Sequence, residues 1–229
     1  MINLVVATRN AHKVREIGEI LGPGFCCVPL SEFPGAPQLI EDGDTFALNA
    51  TRKAVQLAQW LATSRKRGDA GGAETLVLAD DSGLEVDALN GAPGVHSARF
   101  SALDASGNSS DEKNNAKLLR LLKDVPAERR TARFRCVLAL TRVPATSVQP
   151  ASPVCYADEI ELQTELFDGE CEGHIAFAPS GRSGFGYDPL FIPVGFRQSF
   201  GELGEEVKHG LSHRARALAK LRKRLLGDG

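Results

Sequence analysis

The segment that most constrains this chain is residues 75–83, where an apolar run, Thr75 to Ala79, passes without a spacer into Asp80, Asp81, Ser82 and Gly83. A continuous apolar run of this kind reads as a strand covered on both faces. Carboxylates at the carboxyl end of such a strand are how an α/β protein presents oxygen ligands to a metal and a base to a water molecule. Successive strand side chains point to opposite faces, so Asp80 and Asp81 are expected to divide the work. Asp81 is taken as the reactive carboxylate and Asp80 as a brace for the loop or for the groups behind it. The competing reading is an Asx-turn that closes the strand, with Asp and Ser bonding nearby amides.

Short apolar runs alternate with helical patterns along the whole chain, which predicts an α/β fold. Ile2 to Val6 reads as a buried strand. From Asn10, apolar residues at Val14, Ile17 and Leu21 form one helical face that Gly22 and Pro23 end. A second helix is predicted from an N-cap at Asp44 or Thr45, burying Phe46, Ala50, Ala54, Leu57 and Leu61, with Trp60 packed beside it. Glu112 to Leu122 reads as a helix, Ala132 to Leu140 as a strand, and Glu159 to Leu166 as its hairpin partner. Ile175 to Phe177 and Pro189 to Ile192 read as further strands, and a last helix runs from an N-cap at Ser212 through Leu218, Leu221 and Leu225. Residues 63–74 and 141–155 read as polar loops rich in Gly, or in Pro and Ser.

A chain of 229 residues can bury a full core as one large domain. Its 27 basic and 29 acidic residues give a net charge of −2 without long charge runs, which argues against bulk attraction to nucleic acid or membrane. Cys26, Cys27, Cys136, Cys155 and Cys171 form no zinc spacing, and an odd number of thiols fits a reduced, cytoplasmic protein. Met1 leads directly into a strand, and no apolar run approaches the roughly 18 residues of a membrane span.

Several further positions carry candidate chemistry. Thr8, Arg9, Asn10, Ala11, His12 and Lys13 occupy the loop and first helical turn after the first strand, where amides and a helix N-terminus hold phosphate. No Walker A sequence is present there, so the cradle is of another kind. Glu41 and Asp42 precede the second helix, either as dipole partners or as ligands. Asn49 and Lys53 lie four apart on one face of that helix, either at the surface or in a common site. In Ser183-Gly184-Phe185-Gly186-Tyr187-Asp188-Pro189, two glycines surround an aromatic residue, so a planar ligand could approach the backbone and stack on Phe185. His213 and Arg214 open the last helix against its dipole, which points to a phosphate or an electron-rich base nearby, or to a solvated basic end.

Taken in order, ATRNAHKVREI, EDGDTF with NATRKA, LADDSGLEVDALNGAPGVHSARF, ARFRCVLAL, SGFGYDPLF and FGELGEEVKHGLSHRARAL span nearly the whole chain. Together they resemble the inosine triphosphate pyrophosphatase family, the RdgB-like pyrophosphatases of non-standard purine nucleoside triphosphates. The resemblance implies one two-lobed domain over residues 1–229: an elongated mixed β-sheet flanked by helices, with the active-site cleft between the lobes, assembled as a homodimer. It implies Mg²⁺-dependent hydrolysis of ITP, dITP and XTP to the monophosphate and pyrophosphate. It also implies that Thr8 to Lys13 cradle the triphosphate with Lys53, that Asp81 is proton acceptor and metal ligand with Glu41 beside it, and that Ser82 contacts substrate. Phe185, Gly186, Tyr187 and Asp188 would form the nucleoside pocket, closed by Lys208, His213 and Arg214. Arg9 and His12 stand where many relatives carry Gly, and Leu48 where an acidic residue often precedes Asn-Ala. A Maf-like pyrophosphatase would open with Ser-Gly-Ser-Pro-Arg-Arg, which is absent, and an inactive nucleotide sensor would lack the carboxylates present at 41, 80 and 81.

Overall fold

The computed structural model describes residues 1–64, 75–102, 108–143 and 164–227. Most of the two predicted loops, the first part of the predicted strand at Glu159, and Cys155 lie outside these residues. Among the described residues, no helix is long and apolar enough to cross a membrane.

Six strands form one mixed sheet in the order β2-β1-β3-β4-β5-β6. They are β1 (Ile2–Val6), β2 (Phe25–Pro29), β3 (Leu76–Val86), β4 (Thr131–Arg142), β5 (Thr164–Ile175) and β6 (Phe191–Pro193). β1 pairs in parallel with both β2 and β3, while β6 runs antiparallel to β5. The helices are α1 (Ala11–Leu21), α2 (Phe46–Ser64), α3 (Asp111–Leu121), α4 (Phe200–Leu211) and α5 (His213–Leu226). The chain divides into two compact units, with the divisions falling inside β3 after Asp81, inside β4 after Cys136, inside β5 after Phe167 and inside α5 after Ala217.

In the first unit, Val5 of β1, Val77 and Ala79 of β3 and Ala139 of β4 pack with Ala50, Ala54, Leu57 and Leu61 of α2. These α2 residues are the predicted stripe, and Trp60 stands edge-on to Phe33 beside it with ring centres 6.4 Å apart. In α1, the Asn10 side chain accepts from the amides of His12 and Lys13, and Gly22 at φ +76 ends the helix.

The second unit gathers Leu84 and Val86 of β3, Phe134 of β4, Cys171 and Ile175 of β5, Phe191 of β6, Leu118 of α3 and Phe200 of α4. Phe134 lies 4.6 Å from Phe191 and 4.8 Å from the His213 ring, which stacks on it nearly parallel. The α5 backbone comes so close to β5 that a Cβ on Gly169 would sit 2.1 Å from the His213 carbonyl oxygen. Burial pushes the thiols of Cys27 and Cys171 up to about 11, and the four described cysteines are all free.

Three sequence expectations need correction. The strand that begins after Thr75 does not end at the acids: it runs to Val86, so Asp80 and Asp81 lie mid-strand and no Asx-turn closes it there. Leu84 and Val86 supply a second buried stretch that holds the chain extended beyond Gly83. Ile175 to Phe177 is not a separate strand, because Ile175 ends β5 and Phe177 lies beyond it in irregular chain. Its inward positions include Gly169, Cys171 and Gly173, small residues that mute the period-2 signal. The predicted strand at Pro189 is shifted to Phe191–Pro193, since Tyr187 to Leu190 form a turn. Sequence reasoning also passed over β2 and α4; the Ser199 and Glu202 spacing of a capping box was the signal for α4, and Glu202 does reach back to the Ser199 amide at 3.0 Å.

Candidate active site

Mid-strand acids on β3 make the first cluster. Asp80 and Asp81 point apart, as strand alternation requires, and each meets a lysine from a different helix. Lys13 of α1 bonds Asp80 Oδ1 at 2.5 Å. Lys53 of α2 bonds Asp81 Oδ1 at 2.8 Å, donates to the Asp80 carbonyl at 2.7 Å and lies 3.4 Å from Glu41 Oε1. Lys53 is only 3% exposed, so these oxygens compensate its burial.

Burial alone would push the Lys53 ammonium down, but the charges of Asp81 and Glu41 and the bond to Asp81 outweigh it and hold its pKa above the ordinary lysine value. Burial raises the Asp81 carboxyl above the ordinary carboxylate range, against the opposing pull of Lys53 and Lys13. A carboxylate raised in this way is a better proton acceptor than an exposed one.

Asn49, one turn before Lys53 on α2, joins the two acidic elements. Its Oδ1 accepts the Gly43 amide at 2.8 Å, and its Nδ2 donates to the Gly43 carbonyl and to Asp81 Oδ2, each at 3.3 Å. A side chain at position 43 would meet Asn49 Oδ1 at 2.8 Å and Leu48 Cγ at 2.9 Å, so only glycine lets the Glu41–Gly43 segment lie against α2. Leu48, where the resemblance leads one to expect an acid, serves this packing. The sequence marked Asn49 as facing Lys53 but held no signal for its bond to Asp81.

Within the predicted phosphate loop, Thr8 and Asn10 are tied locally. Thr8 Oγ1 accepts the Asn10 amide, and Asn10 Oδ1 takes the amides of His12 and Lys13 at 3.0 and 3.2 Å. Ala11 is the first residue of α1, and Arg9 reaches the Ala36 carbonyl at 3.1 Å.

A second cluster belongs to the other unit. Phe185 is half-buried, with Lys208 Nζ 4.6 Å and the Arg214 guanidinium 5.8 Å from its ring centre. Asp188 Oδ2 accepts both the Phe185 amide and Lys208 Nζ at 2.8 Å, and Arg214 Nη2 donates to Ser82 Oγ at 2.8 Å. Gly184 at φ +78 leaves room for Asp188, whose Oδ2 a Cβ would approach to 2.1 Å. Tyr187 instead belongs to the core, with its hydroxyl donating to the Ser97 carbonyl at 2.9 Å. His213 likewise stacks within the core on Phe134. Asp81, the last residue of the first unit in β3, and Ser82, the first of the second, are consecutive in that strand.

Glu41 and Asp81 are the candidate ligands for a cation. Their oxygens converge, together with the Asp80 carbonyl, on one ammonium, so a centre of positive charge is already accommodated there. No group of three His, Cys, Asp or Glu among the described residues could hold a metal by itself. A pair of carboxylates fits Mg²⁺, which keeps several waters and takes further ligands from substrate phosphates.

A mixed α/β sheet with a buried carboxylate–lysine centre at the middle of its third strand defines the class of this protein. A sequence model of the Ham1 family matches residues 4–224, and the chain belongs to that family. It is 45% identical over 220 residues to a dITP/XTP pyrophosphatase of Desulforamulus reducens, covering 96% of this chain and 93% of that one. It is 44% identical over 230 residues to a dITP/XTP pyrophosphatase of Geobacter sulfurreducens, covering 100% and 99%. The solved structure of a HAM1 protein from Coxiella burnetii superposes with a TM-score of 0.73 at 33% identity over 100% of both chains. The nucleoside-triphosphatase, or dITP/XTP pyrophosphatase, of Mycobacterium abscessus gives 0.67 at 36% identity, covering 96% of this chain and 98% of that one.

Proposed function

We propose that the protein hydrolyses the deaminated purine nucleoside triphosphates ITP, dITP and XTP to the monophosphate and pyrophosphate, clearing them from the cytoplasmic nucleotide pool. The observation that carries this reading is the Asp81–Lys53–Glu41 centre on the same strand as Ser82, which holds Arg214 beside Phe185. Relatives aligned along nearly the whole chain are named dITP/XTP pyrophosphatases, which supports dITP and XTP among these substrates.

Asp81 orients the attacking water and takes its proton, a role worth about 10²- to 10⁴-fold. Lys53 keeps Asp81 ionised, and Lys13, held by Asp80, lends charge to the triphosphate. Mg²⁺ held by Asp81, Glu41 and substrate oxygens would neutralise the charge that grows on the phosphates. Phe185 stacks on the base. Lys208 and Arg214, both donors, suit the acceptor at purine position 6, whereas the adenine amino group would meet donors only.

Residues 1–229 are read as one two-lobed domain, which follows the sequence resemblance. Assembly as a homodimer is part of the same proposal and follows the sequence resemblance. Pyrophosphate release from ITP, XTP, dUTP, GTP and ATP, with Mg²⁺ and with a chelator, tests the reading. Equal rates on ATP and ITP, or full activity in chelator, would overturn it.

A further inference from the structure

The turn that carries Phe185 depends on glycine, with Gly184 and Gly186 at φ +78 and +63. Helix α3 braces it from outside. Asp111 Oδ2 accepts the Gly186 amide at 2.7 Å, and Asn115 Nδ2 donates to the Gly186 carbonyl at 3.0 Å. Residues four apart share one helical face, so a single stripe of α3 grips both polar ends of one residue. Asn115 is 9% exposed, so its bond is shielded from competing water.

The helix is itself fixed against the same unit. Asn114 accepts the Ser101 amide at 2.8 Å and donates to the Ala98 carbonyl at 3.3 Å, Lys117 donates to the Phe100 carbonyl at 2.6 Å, and Leu118 is fully buried in the core. On its other side the turn is held by Asp188 at the Phe185 amide.

We propose that Asp111 and Asn115 are positioning residues for base recognition: by clamping both ends of Gly186 to α3, they hold the Phe185 ring where a purine stacks on it. This rests on the reading that Phe185 receives the base. The clamp touches no substrate atom, so it acts by ordering the turn before binding, a saving that appears in affinity and not in the chemical step.

The test uses the full-length enzyme and the variants D111A, D111N, N115A and N115D. The readouts are KM and kcat for ITP, and the inhibition constant of inorganic tripolyphosphate, which has no base. D111A and N115A should raise the KM for ITP roughly three- to tenfold, the worth of one hydrogen bond, with kcat and the tripolyphosphate constant unchanged. D111N keeps an acceptor while losing the first-turn charge, so it should restore most of the affinity; N115D replaces the donor with an acceptor and should not. Combined with F185A, D111A should add nothing further, because both act through one contact. Unchanged KM in D111A and N115A, equal weakening of tripolyphosphate, or a D111N enzyme as weak as D111A would each overturn the clamp. F185A measured alone separates the two claims. Unchanged KM for ITP in F185A removes the base reading itself, whereas a raised KM there beside wild-type D111A and N115A removes only the clamp.

Discussion

Around Asp81 each ammonium lies against a carboxylate: Lys13 on Asp80, and Lys53 on Asp81 with Glu41 near. Around Phe185, Lys208 and Arg214 lie over an aromatic ring; Lys208 shares Asp188 with a backbone amide, and Arg214 donates to the hydroxyl of Ser82. The first arrangement sets three carboxylates against two ammoniums, and its value lies in a carboxylate made basic by burial. The second keeps positive potential beside a stacking surface, which favours an electron-rich acceptor over an amino group. In the proposed reaction the first cluster would act on any triphosphate and the second would choose among bases.

That division can be broken by substitution, and the largest effect is expected at Asp81. Asp81→Asn should fold and bind nucleotide yet lose about two to four powers of ten in turnover, read as pyrophosphate release; near wild-type turnover would remove Asp81 from the chemistry. Next comes Arg214→Ala, which should lower kcat/KM for ITP but barely alter the poor rate on ATP. Their ratio would shrink by about one to two powers of ten, the worth of a hydrogen bond from a charged donor. A loss shared equally by both nucleotides would assign Arg214 to the phosphates or the fold.

Smaller again, Phe185→Ala should weaken all purine nucleotides together by about five- to tenfold, since stacking does not read the substituent at position 6. Competitive binding of IMP and AMP checks this, and a loss confined to one base would merge stacking with selection. The finest test is the pH profile of Lys53→Met. Lys53 pulls the Asp81 pKa down against its burial, so its removal raises that pKa further. The basic form of Asp81 is lost as pH falls through its pKa, so the acid limb of kcat/KM should move to higher pH. A limb that stays in place would show that Asp81 is not the group titrating.

Local pattern was enough for the elements that bury a regular stripe: β1, α1, α2, α3 and α5 all lie where their periodicity and caps placed them. Long motifs around Asp81 and Phe185 carried the family as well, because runs of that length seldom arise without common descent. Strand β5 and helix α4 were less legible. Their glycines answer to partners far along the chain, such as the α5 backbone against Gly169, and not to their own neighbours.

From the sequence alone came the alternating α/β order, the candidate acids and lysines, and the expectation that Asp80 and Asp81 point apart, since all of these follow from local period and residue chemistry. Only the tertiary structure decided which lysine meets which acid, that β3 runs on through both, that Asn49 binds both the Gly43 segment and Asp81, and that Tyr187 and His213 belong to the core. Most such pairings join residues far apart in the chain, and their cost in burial and ordering is met only when the whole unit packs. No window of sequence contains that balance.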